Sequence, residues 1–169
     1  MKLCPTKSHA GTSLPELMVS VLLVAGFFAT IFEVNAVCLR YIDATKENVA
    51  AMQGVQDRLE TIRSLSFNDL KTASFMTTLL TSPSNTSAVA VKAVEHVTLS
   101  DYSSGSPSVT YTRAPGASVA PTVSWSGGSS FPSTTTLVKV NVKYSWTFTL
   151  GGRSRVEEIE TIVSNGTKK

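Results

Sequence analysis

Few side chains in this sequence are placed to do chemistry, and the densest signal lies at the N-terminal end. Residues Lys7 to Glu16 read KSHAGTSLPE and run directly into LMVSVLLVAGFFATIF. A carboxylate at this point is unusual, because carrying a charge into hydrocarbon costs about 2.5 to 3.5 kcal/mol on insertion scales. Glu16 stands at the edge of the apolar run, five residues after Gly11, with Lys2 and Lys7 on the other side of the glycine. Its reach is fixed by helix geometry: four residues separate it from Thr12, which puts both on one face, about 6 Å apart along the axis. The helix dipole mildly stabilises an acid there. Packed against neighbouring chains, the same group needs a full counter-charge, since an unpaired carboxylate in a low dielectric is unfavourable by several kcal/mol.

Other chemistry is excluded residue by residue. The chain has two histidines, His9 and His96, and two cysteines, Cys4 and Cys38, so no zinc set is available beyond the apolar run. Cys38 reads as a small apolar helix residue and His96 as a strand surface residue. There is no Gly-x-Ser-x-Gly elbow, phosphate-cradling glycine loop or EF-hand loop. Glu157, Glu158 and Glu160 form the densest acidic group, but on a strand Glu157 points away from the other two, which suits a solvated edge better than a calcium site. Trp125, Trp146, Phe131 and Phe148 read as core and loop anchors. No catalytic residues, metal or cofactor are expected.

The elements that must position Glu16 follow from hydropathy. Leu17 to Phe32 carries no charge, and the apolar run continues to Leu39 with Glu33 as its interruption. At about 1.5 Å per residue this covers about 34 Å, enough for a bilayer core of about 30 Å. Beyond it Ile42, Val49, Met52, Val55, Leu59, Ile62 and Leu65 keep helical spacing, with Asp43, Lys46, Glu47, Asp57, Arg58, Glu60 and Arg63 between them. The spacing predicts one helix from about Leu14 to Leu65, whose second half packs that stripe on a sheet. Gly54 weakens it slightly.

After Pro83 the period changes to two. Residues 89–96 alternate as a strand, and Val138, Val140, Val142, Tyr144, Trp146 and Phe148 share one face of a clearer one. Gly151-Gly152 supplies a two-residue turn, and Arg153 to Val163 reads as the return strand, with a bulge near Val156 and Ile159. Ser100 to Thr136 is mostly loop, since 25 of its 37 residues are Ser, Thr, Gly or Pro, with short strands near Val109–Thr112 and Val123–Trp125.

The balance of 15 basic and 12 acidic residues gives +3; without Lys2 and Lys7 it is 13 − 12 = +1. No basic face marks a nucleic-acid partner, and none is expected.

Three readings of the N-terminus compete. A conventional secretory signal could be cut after Val34-Asn35-Ala36, releasing a soluble ligand-binding domain at Val37; left uncut, the same segment is a single-pass anchor. A lipoprotein signal needs a small residue before Cys38, where Val37 stands. The third rests on Gly11-Thr12-Ser13-Leu14-Pro15-Glu16-Leu17-Met18-Val19, which resembles the start of type IV prepilins and type II secretion pseudopilins: a glycine, a processed residue and a glutamate at mature position five before the membrane helix. The chain departs from that family at Thr12, where Phe is commonest, and at Pro15, which suits a first helical turn.

The resemblance implies that a prepilin peptidase cuts between Gly11 and Thr12 and methylates the Thr12 amine, with Lys2 and Lys7 in the cytoplasmic leader. Residues 1–11 are then the leader, 12–39 a transmembrane and filament-core helix, and 40–169 a periplasmic or extracellular domain. The fold expected is α+β of pilin type. Glu16 would meet the amine of an adjacent subunit. The implied partners are the peptidase, other pilins or pseudopilins, an inner-membrane assembly platform and membrane lipid. The chain would begin as a single-pass inner-membrane protein and end in a pilus or pseudopilus, as a minor subunit of PilV-like type, since C-terminal cysteines are missing and the loops are long and polar.

Overall fold

The computed structural model of the chain describes residues 13–148 and 151–166. The elements in order are α1 (Leu14–Ser64), α2 (Phe67–Lys71), α3 (Ala73–Leu79), α4 (Ala88–Lys92), β1 (Val94–Asp101), β2 (Ser108–Arg113), β3 (Thr122–Ser126), β4 (Leu137–Thr147) and β5 (Ser154–Ser164). The fold is α+β: a long N-terminal helix and an antiparallel sheet of order β3-β2-β1-β4-β5. The chain divides into two units, the first ending at Ile42 and the second beginning at Asp43.

In the first unit α1 is apolar all round. Leu17, Leu22, Leu23, Phe27, Phe28, Phe32 and Leu39 are all exposed, and the helix is long and apolar enough to cross a membrane. Its hydroxyls are satisfied internally: Ser20 Oγ donates to Glu16 C=O and Thr30 Oγ1 to Phe27 C=O, each at 2.8 Å. Polar groups closed on the helix backbone need no water, which is what a hydrocarbon setting requires.

In the second unit α1 packs on the sheet, through a stripe rotated from the one the spacing predicts. Ala51, Gly54, Val55, Arg58, Leu59 and Ile62 are buried, whereas Ile42, Val49 and Met52 remain 49%, 51% and 48% exposed. Gly54 explains the rotation. A β-carbon there would lie 3.0 Å from Tyr144 Cε2 and 3.3 Å from Ser84 Oγ, so the glycine lets the helix backbone approach the sheet. Tyr144 itself is fully buried, donates its hydroxyl to Ser84 Oγ at 2.7 Å, and is pushed up to about 12 in pKa by burial and then by the Glu95 charge.

The sheet's core face is formed by Val97 and Leu99 of β1, Val109 and Tyr111 of β2, and Val138, Val140, Val142, Tyr144 and Trp146 of β4. The β4 alternation is the expected one, and the short strands near 109–112 and 123–125 are β2 and β3. Between Leu65 and Ala93 three short helices close the core, burying Phe67, Leu70, Met76, Val89 and Ala90.

Three expectations fail. Residues 88–92 are helical rather than extended, because Ser87 Oγ caps the turn by accepting from Ala90 N–H at 3.1 Å. The strand begins only at Val94. The return strand has no bulge: β4 and β5 pair in one register from Leu137–Ser164 to Thr147–Ser154. Its poor alternation reflects an edge position, with Val156 and Ile162 exposed on the face away from the core. The reversal is longer than a two-residue turn, since Phe148 N–H still bonds Arg153 C=O. Gly151 and Gly152 adopt φ of 99° and 62° within it, as a glycine turn requires.

Candidate functional site

Of the residues singled out at the N-terminus, Lys2, Lys7, Gly11 and Thr12 lie outside the described residues, as do His9 and Cys4. Glu16 is described. It occupies the first turn of α1, where Ser13 C=O accepts from both Glu16 N–H at 3.0 Å and Leu17 N–H at 3.2 Å. Its side chain is exposed, with Leu14, Leu17, Met18 and Val19 exposed around it. A carboxylate so placed can accept a cation or hydrogen-bond donors from outside the chain. Pro15 falls in the same turn and breaks no helix bond. Glu33 and Cys38 are also exposed on α1.

A second polar assembly covers the outer face of the sheet. Register places Thr112, His96, Lys143 and Glu158 in one cross-strand row and Thr110, Thr98, Asn141 and Glu160 in the next. The rows are internally bonded. Thr98 and Thr110 hydroxyls meet at 3.0 Å, and Asn141 Nδ2 donates to Glu158 Oε1 at 2.6 Å and Glu160 Oε1 at 3.0 Å. Lys139 Nζ lies 2.9 Å from Glu160 Oε1. Hydrogen bonds from Lys139 and Asn141 hold the Glu160 carboxyl below the usual carboxylate range. His96 is held below its ordinary value by burial and then by the Lys143 charge, with Nδ1 3.0 Å from Thr112 Oγ1. All of these side chains but Thr112 line an open groove of about 410 Å³. It offers hydrogen-bonding groups: every acid in it faces an amide or ammonium, and the His96 imidazole is bonded to the Thr112 hydroxyl. His96 and the outward pointing of Glu158 and Glu160, opposite to Glu157, are where the alternation puts them.

The most enclosed polar cluster escaped sequence reasoning. Arg58 from α1 and Arg113 from β2 converge on Glu95 of β1, and all three are at most 3% exposed. Arg58 Nε donates to Glu95 Oε1 at 2.5 Å and Arg113 Nε to Glu95 Oε2 at 2.9 Å. The remaining guanidinium N–H groups bond carbonyls of Leu79, Ser82, Ala90, Ala114 and Gly116. With every guanidinium nitrogen bonded, the cluster is a structural tie between α1, two loops and the sheet. Parity carried the missing signal: Glu95 is in phase with Val97 and Leu99, and Arg113 with Val109 and Tyr111. Arg58, expected on the polar face of α1, is instead buried.

Among the described residues no group of three His, Cys, Asp or Glu side chains is placed to hold a metal ion. Trp125 meets Phe131 edge to face at 5.6 Å and is partly buried on the core. Trp146 meets Phe148 likewise at 6.2 Å, and its buried indole N–H has no partner among the described residues. Comparison of the chain with known protein families, with curated proteins and with solved structures finds no match in any of the three.

Proposed function

We propose that the chain is a minor pilin or pseudopilin subunit of a type IV pilus or type II secretion pseudopilus, and that its work is mechanical: priming, capping or modifying a filament. The observation that carries this reading is the junction itself. Gly11-Thr12 precedes Glu16 by the spacing at which one cut yields an amine and leaves a carboxylate at the mouth of a membrane-length helix. The long helix, apolar in its first half and then packed by one stripe on an antiparallel sheet, supports it. So does the apolar surface left on the second half of α1, where Val49 and Met52 stay exposed for packing against other subunits.

Cutting the Gly11–Thr12 bond in the cytoplasm would remove Lys2 and Lys7 and create the Thr12 amine, which the peptidase then methylates. The Glu16 carboxylate of one subunit pairs with the amine of the next as it leaves the bilayer and enters the filament at an inner-membrane assembly platform. Pairing offsets the desolvation of both charges only when the register is correct. Glu16 is thus an assembly residue and Thr12 the modified one.

Replacing Glu16 by Ala tests the reading: cleavage should proceed, and filament incorporation should fall. Normal incorporation of the variant would contradict it. A second reading, a membrane-anchored or secreted ligand-binding domain, is favoured by the polar groove around His96, Asn141 and Lys143. It requires a chain starting at Val37 or an uncut one starting at Met1.

A further inference from the structure

β5 is the last strand of the sheet, and its outer edge is exposed. Two hydrogen bonds that bracket its ladder fix which backbone groups face that edge. Phe148 N–H donates to Arg153 C=O at 3.0 Å, and Asn165 N–H donates to Thr136 C=O at 2.8 Å. Hydrogen-bonded and non-bonded pairs alternate along an antiparallel ladder, and the register between these two bonds is unbroken. Residues 155, 157, 159, 161 and 163 therefore bond β4. The N–H and C=O groups of Ser154, Val156, Glu158, Glu160, Ile162 and Ser164 point outward.

Such an edge is ordinarily shortened, kinked, or blocked by proline or by charged side chains. β5 runs for eleven residues with no proline or bulge, and of these devices it carries only charge, at Arg155, Glu157, Glu158 and Glu160. The core is also unfinished beside it: Ile159 and Val163 are only partly buried, and Val163 borders a groove of about 290 Å³ lined by Leu65, Phe67 and Asn165. A strand laid along the edge would cover this margin while pairing the outward amides.

Charge decides what fits. Two copies of β5 paired antiparallel about residue 158, 159 or 160 set Glu158 against Glu158, Glu158 against Glu160, or Glu160 against Glu160, and like charges directly opposite are destabilising. In these three registers a second copy is disfavoured. β4 displays the matching pattern from the inner side, with Lys143 opposite Glu158, Asn141 opposite Glu160 and Lys139 Nζ on Glu160. Both glutamates use Oε1 for those bonds, which leaves Oε2 of each to a basic group arriving from the open side.

We propose that the open edge of β5 is a strand-addition site for an extended segment of a partner protein with basic side chains facing Glu158 and Glu160 and aliphatic ones facing Val156 and Ile162. Main-chain bonds supply the affinity and the alternating side chains the selectivity. The site does not depend on the filament reading, because it is built from the sheet alone.

The test uses the full chain in detergent micelles and a fluorescent ten-residue synthetic peptide carrying Val, Lys, Lys and Ile at alternate positions with Thr between, a pattern that reads alike in both directions. Saturable binding is expected. It should be at least about tenfold tighter than for the same peptide N-methylated at the amides that would face β5, and than for a peptide with Glu in place of Lys. Ile162→Pro should weaken binding by about tenfold, because its N–H points outward and proline there removes no bond to β4. Equal binding of the N-methylated peptide would reduce the interaction to charge adsorption and overturn the proposal. So would absence of saturable binding to the folded wild-type chain, or crosslinks pairing β5 with β5 of a second copy. Should Ile162→Pro fail to fold, the N-methylated peptide decides the matter on the wild-type chain.

Discussion

Glu95 is the residue on which the second unit most depends. It is one carboxylate shared by two buried guanidinium groups, so removing it strands two cations away from water. Glu95→Ala should destabilise the fold by about 3 to 5 kcal/mol, the range for breaking a buried pair from one side. In a thermal melt followed by the near-ultraviolet signal of Trp125 and Trp146, that is a fall of roughly 6 to 20 °C. A shift of a degree or two would mean that water reaches the cluster. His96 gives the same face a pH dependence. Folding holds its pKa below the ordinary 6.5, by burial first and the Lys143 charge second. The unfolded chain therefore takes up the proton first as pH falls, and stability is full above 6.5 and declines as pH drops through the lower folded-state value. Melts of His96→Gln across this window should show a flatter pH profile than wild type; an unchanged profile would assign the dependence elsewhere.

At the scale of elements, α1 joins an exposed apolar half to a half packed by one stripe, and its second half shows how much of the fold was legible. Period alone gave the helix and β4, whose residues Val138 to Trp146 alternate without a lapse; it placed the return strand despite a broken alternation and met β1 only at residues 94–96. Period could not orient the helix. Val49 and Met52 match the stripe as well as Val55 and Ile62 do, and what selects between them is the close approach at Gly54, a tertiary fact. Ile62→Ala should cost about 2 to 5 kcal/mol, whereas Met52→Ala should change stability by less than about 0.5 kcal/mol, as read from denaturant midpoints. Comparable losses at both would return the core to the predicted stripe. Gly54→Val should cost about 1 to 3 kcal/mol despite removing a glycine from a helix, because Tyr144 is buried, bonded to Ser84, and has no room to yield. The 88–92 helix was illegible for a related reason: five residues are too few to show a period, and the Ser87 cap decides.

For the molecule as a whole, the two units present different surfaces. The first carries no charged residue from Leu17 to Phe32 and is long and apolar enough to cross a membrane; the second carries a bonded polar face and an open strand edge. The proposed reading of the N-terminal junction rests on the order of Gly11, Thr12 and Glu16 in the sequence and uses no tertiary contact. The sheet-face rows were not legible in the sequence, because they join residues from four strands whose pairing no local pattern specifies. The central claim, that the chain is processed between Gly11 and Thr12 and carried by Glu16 into a filament, is tested most directly by the mass and N-terminal residue of the mature protein isolated from membranes. The account predicts a chain beginning at Thr12 and heavier by one methyl group. A chain beginning at Val37, or one retaining Met1, would contradict it.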